Sequence, residues 1–362
     1  MFNVEPGYSR SIGRRALEEY DIVNLSIAVL EGPPALSILL GARYEDIPTL
    51  LITKKENSSL YKKLPGLATN ILAIEEWGQV SSPKITRELR EQNAILVPTT
   101  SLIESLEPEI ISNLALPFFG NRFITSIEHD WRMRHGILEA ASISTPEVYS
   151  ISSYPQDELV IVKIGDPRHG RIHRVTLGRD VEKILRDLEK KGFSLDNIVI
   201  QKYIAGVQVQ AHLFYSPVYE RIEVLGIDTP LQTNIDSYAR APPIEIWRRE
   251  PSYVQVANSP IILRDDLLGR IIEYGEKLGR AIQEATGYPP VGTVTIEGVV
   301  TPELDYIVFD FDSWATIGVG DYMGSTTPYS ALYWAEPMWI GRRIAREVKL
   351  AVENNMLEKI IT

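Results

Sequence analysis

The stretches Gly292–Val300 (GTVTIEGVV) and Asp305–Asp312 (DYIVFDFD) decide how this chain folds. Both are rich in β-branched and aromatic residues with a period of two, the pattern of a strand. Thr301-Pro302-Glu303 lies between them as a turn, so the two strands are predicted to form a hairpin. Glu297 sits mid-strand, and Asp310 and Asp312 are two apart on its partner, so both aspartates share a face. Three carboxylates on neighbouring strands repel one another unless a cation lies among them. Oxygen donors of this kind suit Mg²⁺, which takes one or two carboxylates together with substrate phosphates. A solvated acidic sheet face accounts for the same three residues equally well.

Working outward, a long helix over Leu267–Glu284 precedes the hairpin, and a closing helix over Gly341–Asn354 follows the Gly/Ser/Thr-rich stretch 318–327. Upstream, the apolar strand Leu159–Ile164 (LVIVKI) carries Lys163. The loop Gly165–Arg174 then gathers Arg168, His169, Arg171, His173 and Arg174. Such a cationic loop suits phosphates, and a solvated loop is the equal alternative. An amphipathic helix over Val181–Lys191 leads to the strand Ile198–Ile204, which ends at Ala205-Gly206 and is resumed by Val207–Phe214; Glu223–Ile227 adds another.

The first third alternates strands (Ile22–Leu30, Thr49–Thr53, Ile71–Ile74, Ala94–Val97) with helix-length segments such as Ala35–Arg43. That alternation predicts βαβ units and a parallel sheet, whose ligand crevice lies beyond the carboxyl ends of its strands. Glu31–Ala35 and Pro98–Ser101 are the loops at two such ends. The fold class is therefore α/β, turning to α+β in the C-terminal part. Three lobes are expected, over residues 1–122, 123–198 and 199–362.

Composition narrows the chemistry. With 37 Lys and Arg against 48 Asp and Glu, the net charge of −11 disfavours a nucleic-acid binder, which needs concentrated positive charge. Zero cysteines exclude disulfides, thiolate catalysis and iron–sulfur sites. No run of about 18 apolar residues suggests a membrane span, and residues 1–15 lack the apolar core of a leader, so a cytoplasmic protein without a membrane partner is expected. Neither a phosphate-binding glycine–lysine–serine loop nor a dinucleotide glycine fingerprint is present. Ser37, Ser101 and His135 lack a nucleophile elbow, and the arginines around His169 and His173 oppose a metal ion there. The remaining histidines, His129 and His212, are scattered.

The order of these parts resembles the ATP-grasp superfamily. Within it, the chain is similar to the archaeal formate-dependent 5-formaminoimidazole-4-carboxamide ribonucleotide synthetases of purine (IMP) biosynthesis. The resemblance rests on PFFGNR (117–122), FYSP (214–217), LGID (225–228), TNID (233–236), PSYV (251–254), PYS (328–330), Glu336-Pro337 and GRRIARE (341–347). It implies an ATP-grasp fold with an N-terminal parallel-sheet lobe, and a carbon–nitrogen ligase using ATP and Mg²⁺, with Mn²⁺ as a substitute. The implied reaction joins formate to aminoimidazole carboxamide ribonucleotide through formyl phosphate. By position, Glu297, Asp310 and Asp312 match metal ligands, and Lys163 matches the lysine approaching the ATP phosphates; Arg168 of the cationic loop is the second candidate catalytic residue. Gln201, Tyr203 and Ile204 match the strand that holds adenine, with Gln208 near the ribose; Ser101 and Asn234 match contacts to the ribonucleotide. A homo-oligomer is also implied.

Four segments depart from the family pattern, among them Pro98-Thr99-Thr100-Ser101, which keeps Ser101 but lacks the family's histidine–glycine pair, and Ser313-Trp314-Ala315, which replaces a small-residue and arginine pattern after Asp312. Glu31-Gly32-Pro33-Pro34 puts a carboxylate into the first substrate loop, where it is expected to repel a phosphate, and Gly165–Arg174 retains two glycines only. A ligase for another carboxylate and amine, or a catalytically weak nucleotide-binding protein, therefore stays open beside the family reaction.

Overall fold

The computed structural model describes residues 12–13, 15–164, 173–232, 255–316 and 323–362. Strand β1 (Ser26–Leu30) is buried on both faces, as a central strand of a parallel sheet must be. It lies between β2 (Thr49–Lys54) and β4 (Ala94–Leu96), and β3 (Asn70–Ile74) flanks β2, every pair running parallel. Helix α1 (Ala35–Tyr44) connects β1 to β2 and buries Ile38 and Leu39. The strand expected from Ile22 starts four residues later. Asp21 accepts a hydrogen bond from the Val23 N–H and caps a short 3₁₀ turn, which leaves Val23 exposed.

A second, antiparallel sheet has the order β5-β8-β6-β7, from β5 (Val148–Tyr149), β6 (Leu159–Ile164), β7 (His173–Leu177) and β8 (Ile198–Lys202). Helix α2 (Val181–Lys190) covers one face, packing Val181 and Leu188 on Val160, Val162, Ile198 and Ile200. The third sheet, also antiparallel, has the order β11-β10-β9-β12-β13. Its strands are β9 (Val207–Ser216), β10 (Arg221–Gln232), β11 (Gln255–Pro260), β12 (Gly292–Val300) and β13 (Tyr306–Asp312). The predicted hairpin is β12–β13. Helix α3 (Asp265–Thr286) packs Ile271, Leu278 and Ile282 against Val209, Ala211, Val294 and Ile296.

One expectation is corrected here. β9 does not resume β8; the two belong to different sheets, and the chain crosses between them at residues 203–206. Two apolar runs separated by Ala-Gly read locally as one interrupted strand, whereas pairing partners far away in sequence assign them to separate sheets. Gly206 is required at the crossing, since a Cβ there would lie 2.2 Å from the Val300 carbonyl oxygen.

The closing helix α4 (Ile340–Glu353) packs on α1 of the first lobe. Two glycines let the backbones touch: a Cβ on Gly341 would lie 2.1 Å from the Ser37 carbonyl oxygen, and one on Gly41 2.3 Å from the Arg342 nitrogen. Beside them Glu45 is buried and binds Arg342 Nε at 2.7 Å and Arg346 Nε at 2.6 Å. Met338 and Trp339 are wholly buried, and the Trp339 indole donates to the Ser37 carbonyl at 3.0 Å. Among the described residues, no helix is long and apolar enough to cross a membrane.

Because the atoms facing Gly341 are backbone, they have little room to yield. Gly341→Ala is expected to destabilise the protein by about 2–3 kcal/mol, read as a lowered urea midpoint; an unchanged midpoint would show that the two helices separate freely.

Candidate functional site

The third sheet has one apolar and one polar face. Register pairs Glu297 with Asp310 and Thr295 with Asp312 across β12–β13, and Glu297 with Gln210 and Thr295 with His212 across β12–β9. Directly opposed residues of an antiparallel pair share a face, so these six side chains form one surface with Asp228, which β10 sets opposite Gln210. Asp310 and Asp312 thus share a face, as alternation predicted, and register adds Glu297 to it. What alternation does not tell is burial: Glu297 is 5 % exposed, Asp312 4 %, Gln210 4 %, His212 1 % and Asp228 0 %. Asp310 is more open, its side chain 21 % exposed, so this is a largely buried polar floor with one partly exposed carboxylate.

A buried polar floor must satisfy itself by hydrogen bonds. His212 Nδ1 lies 3.0 Å from Thr295 Oγ1, and its Nε2 lies 2.8 Å from Asp228 Oδ2. Asn258 Nδ2 donates to Asp228 Oδ1 at 2.9 Å and to Gln210 Oε1 at 3.0 Å, and Gln210 Nε2 donates to Glu297 Oε1 at 3.0 Å. Thr295 continues the network to Thr316 at 3.1 Å. His212, one of five scattered histidines in the sequence, is thus a central member. Its only local signal is a polar residue every second position in VQVQAH.

Two further residues escaped the sequence reading. Glu128 accepts from the Ser313 N–H at 2.8 Å and the Ser313 hydroxyl at 2.5 Å, while its Oε2 has no hydrogen-bond partner among the described residues. Arg134, on helix α5 (Trp131–Ala140), places Nε 2.9 Å from Asp310 Oδ1 and donates from Nη1 to the Glu128 carbonyl at 2.6 Å. Burial first, and then the charge of Asp312, push the Glu128 carboxyl well above its ordinary range, outweighing Arg134 and Ser313. In sequence, Glu128 is merely a charge in a short helical stretch, 185 positions from Ser313.

The first-lobe loops adjoin this floor. Thr99 pairs in a β-bridge with Ala315, tying the loop after β4 to the segment just past Asp312. The loop after β1 meets the same place, since a Cβ on Gly32 would lie 2.1 Å from Ser101 Oγ. Glu31, expected in the first substrate loop, is placed by its hydrogen bonds. It is buried and turned toward β2, where its carboxylate accepts from Thr53 Oγ1 at 2.5 Å, the Lys54 N–H at 3.1 Å and Asn57 Nδ2 at 2.9 Å. Three donors thus hold the carboxylate inside the lobe.

In the second sheet, register sets Ile161 opposite Gln201 and Lys163 opposite Val199, so Lys163 and Gln201 share the sheet face turned away from the α2 core. The Lys163 ammonium sits over the Phe309 ring at 5.1 Å, next to Asp310 in the chain. Gln201 is buried, whereas Tyr203 and Ile204 lie just past the end of β8 in the crossing segment, not within the strand. Gln208 is half-buried on β9, in the same row as Gln210 and His212. Arg168 and Asn234 lie outside the described residues.

Two family models match the chain, both described as being of unknown function: DUF1246 over residues 27–149 and DUF1297 over residues 180–362. A relative from Ignicoccus hospitalis, named 5-formaminoimidazole-4-carboxamide-1-(beta)-D-ribofuranosyl 5'-monophosphate synthetase, is 35 % identical over 345 residues, 95 % of this chain and 98 % of the relative. The chain belongs to this synthetase family. A member from Methanocaldococcus jannaschii is 32 % identical, over 95 % of this chain and 97 % of its own. The crystal structure of the IMP biosynthesis protein PurP from Thermococcus kodakaraensis superposes with a TM-score of 0.74 at 27 % identity, covering 93 % of this chain and all of that one. A biotin carboxylase from Campylobacter jejuni shares the fold at a TM-score of 0.64 and 15 % identity, over 91 % of this chain and 72 % of its own. The ATP-grasp fold with its N-terminal parallel-sheet lobe is thus established.

Among the described residues, no three His, Asp or Glu side chains converge into a protein cage for a metal. The donors present are two carboxylates opposed across a strand pair, with a third one step along the strand. That set suits Mg²⁺, whose remaining positions go to water and phosphates.

The raised Glu128 carboxyl has a measurable consequence. In the fold it holds its proton above the ordinary value of 4.5, so its contribution to stability is complete below that pH and is lost as the pH rises through the folded value. Unfolding titrations from about pH 4 to 8 should show this decline in the wild type, and Glu128→Gln should flatten it; an equal slope in both proteins rejects the assignment.

Proposed function

We propose that this chain is an ATP-dependent carbon–nitrogen ligase that formylates 5-aminoimidazole-4-carboxamide ribonucleotide with formate. The observation that carries the reading is a match over nearly the full length of relatives named for that product, at 35 % identity to the first. The largely buried carboxylate floor beside the Gly32–Ser101 loops supports it.

The chemistry explains why such a floor is needed. Formate is a poor electrophile, so a formate oxygen takes the γ-phosphoryl group of ATP, releasing ADP and leaving formyl phosphate. The ribonucleotide amine then attacks the formyl carbon, phosphate departs, and the amine gives up a proton. Both steps move charge between oxygens, which favours fixed positive and hydrogen-bonding groups in a site closed to water. Glu297 and Asp310 would hold Mg²⁺, with Asp312 beside them; the ion supplies charge compensation for the phosphates, and Mn²⁺ could take its place. Lys163 and Arg168 would bear on the transferred phosphate. Gln201, Tyr203 and Ile204 would line the adenine site, with Gln208 toward the ribose, and Ser101 and Asn234 would contact the ribonucleotide. What supports the role of Ser101 is the bridge from Thr99 of its loop to Ala315, just past the acidic strand. The three lobes over 1–122, 123–198 and 199–362 would then enclose the reactants between them.

ADP release, measured with formate, the ribonucleotide and magnesium–ATP, should require all three. Release with another carboxylate in place of formate would reassign the substrate, and none above background would remove the ligase reading. By calorimetry, Glu297→Ala should weaken magnesium–ATP binding by at least about tenfold; equal binding would sink the metal assignment.

A further inference from the structure

We infer that Gln210 is a positioning residue for Glu297, and that its orientation is imposed by a relay running from Asp228 through Asn258. The inference rests on the reading that Glu297 holds the divalent cation. The relay has a direction because both of its ends are carboxylates, which only accept hydrogen bonds. At one end, Asp228 Oδ1 requires a donor, so the Asn258 amide must turn its nitrogen inward, where it lies 2.9 Å away. The same nitrogen reaches Gln210 Oε1 at 3.0 Å, and Gln255 Nε2 donates to Asn258 Oδ1 at 2.8 Å, filling the other end of that amide. With its oxygen committed to Asn258, Gln210 can offer only its nitrogen to Glu297, and it does so at 3.0 Å to Oε1.

Flipping either amide would set oxygen against a carboxylate or nitrogen against nitrogen. The hydrogen-bond pattern, and not a local preference, therefore fixes both orientations. The start of the relay is itself anchored: Asp228 is fully buried, and His212 Nε2 holds its second oxygen at 2.8 Å. Glu297 has several rotatable bonds, so one carboxylate oxygen tied to Gln210 in a dry setting leaves the group a narrow range of directions in which to face a cation.

Gln210→Met keeps the length and removes the donor. Binding of Mn²⁺ in the presence of ADP, followed by the electron paramagnetic resonance signal of free Mn²⁺, is expected to weaken by about tenfold in this variant while the melting temperature stays close to that of the wild type. Glu297→Gln is measured alongside, and the double variant should be no weaker than Glu297→Gln alone, because the two residues act as one unit. If Glu297→Gln leaves Mn²⁺ affinity unchanged, the reading of Glu297 as a ligand fails and the inference falls with it. If Glu297→Gln weakens binding and Gln210→Met does not, the relay alone is refuted. Asn258→Leu cuts the relay one link earlier and is read in the same way should Gln210→Met fail to fold; if neither folds, these amides serve the sheet and not the carboxylate, which also overturns the inference.

Discussion

The constraint on which the rest of this structure depends is the burial of carboxylates on one face of a five-stranded sheet. Glu297, Asp312 and Asp228 are almost withdrawn from water, and such groups are tolerated only where donors or cations meet them. Asp228 is met by His212 and Asn258, Glu297 by Gln210, and Asp310 by Arg134 from a helix outside the sheet. The opposite face does ordinary work: Val209, Ala211, Val294 and Ile296 bury apolar surface against α3, which holds the polar face rigid.

That floor becomes a site only because the first lobe is fastened beside it. The Gly41–Gly341 contact and the buried Glu45 with its arginines lock α1 to α4. The bridge from Thr99 to Ala315 then joins the Ser101 loop to the residues just past Asp312. A carboxylate at Glu31 could have spoiled this arrangement. Its three donors in and after β2 hold it inside the lobe, where it braces the loop that carries Gly32.

Much of this was legible in the residues. Strand periodicity marked the hairpin of β12 and β13 and put Asp310 and Asp312 on one face, since the period of two is a local property, whereas the register of the pair brought Glu297 beside them. The alternation of strands and helices in the first third likewise required a parallel sheet. Less legible was the division between β8 and β9, because local pattern cannot say which distant strand an apolar run will join. Glu128 and Arg134 carried no signal at all, being ordinary charges on short helices until the fold brings them to Ser313 and Asp310.

The sequence by itself determined the element types, the parallel first sheet and the acidic hairpin, because these follow from side-chain period and turn chemistry within about 20 residues. Only the tertiary structure decided that the acidic face is largely buried, that His212 and Asn258 belong to it, and that Glu31 turns away. Burial and hydrogen-bond partnership depend on which remote elements cover a residue: Asn258 reaches Gln210 across 48 positions, and Gln210 reaches Glu297 across 87.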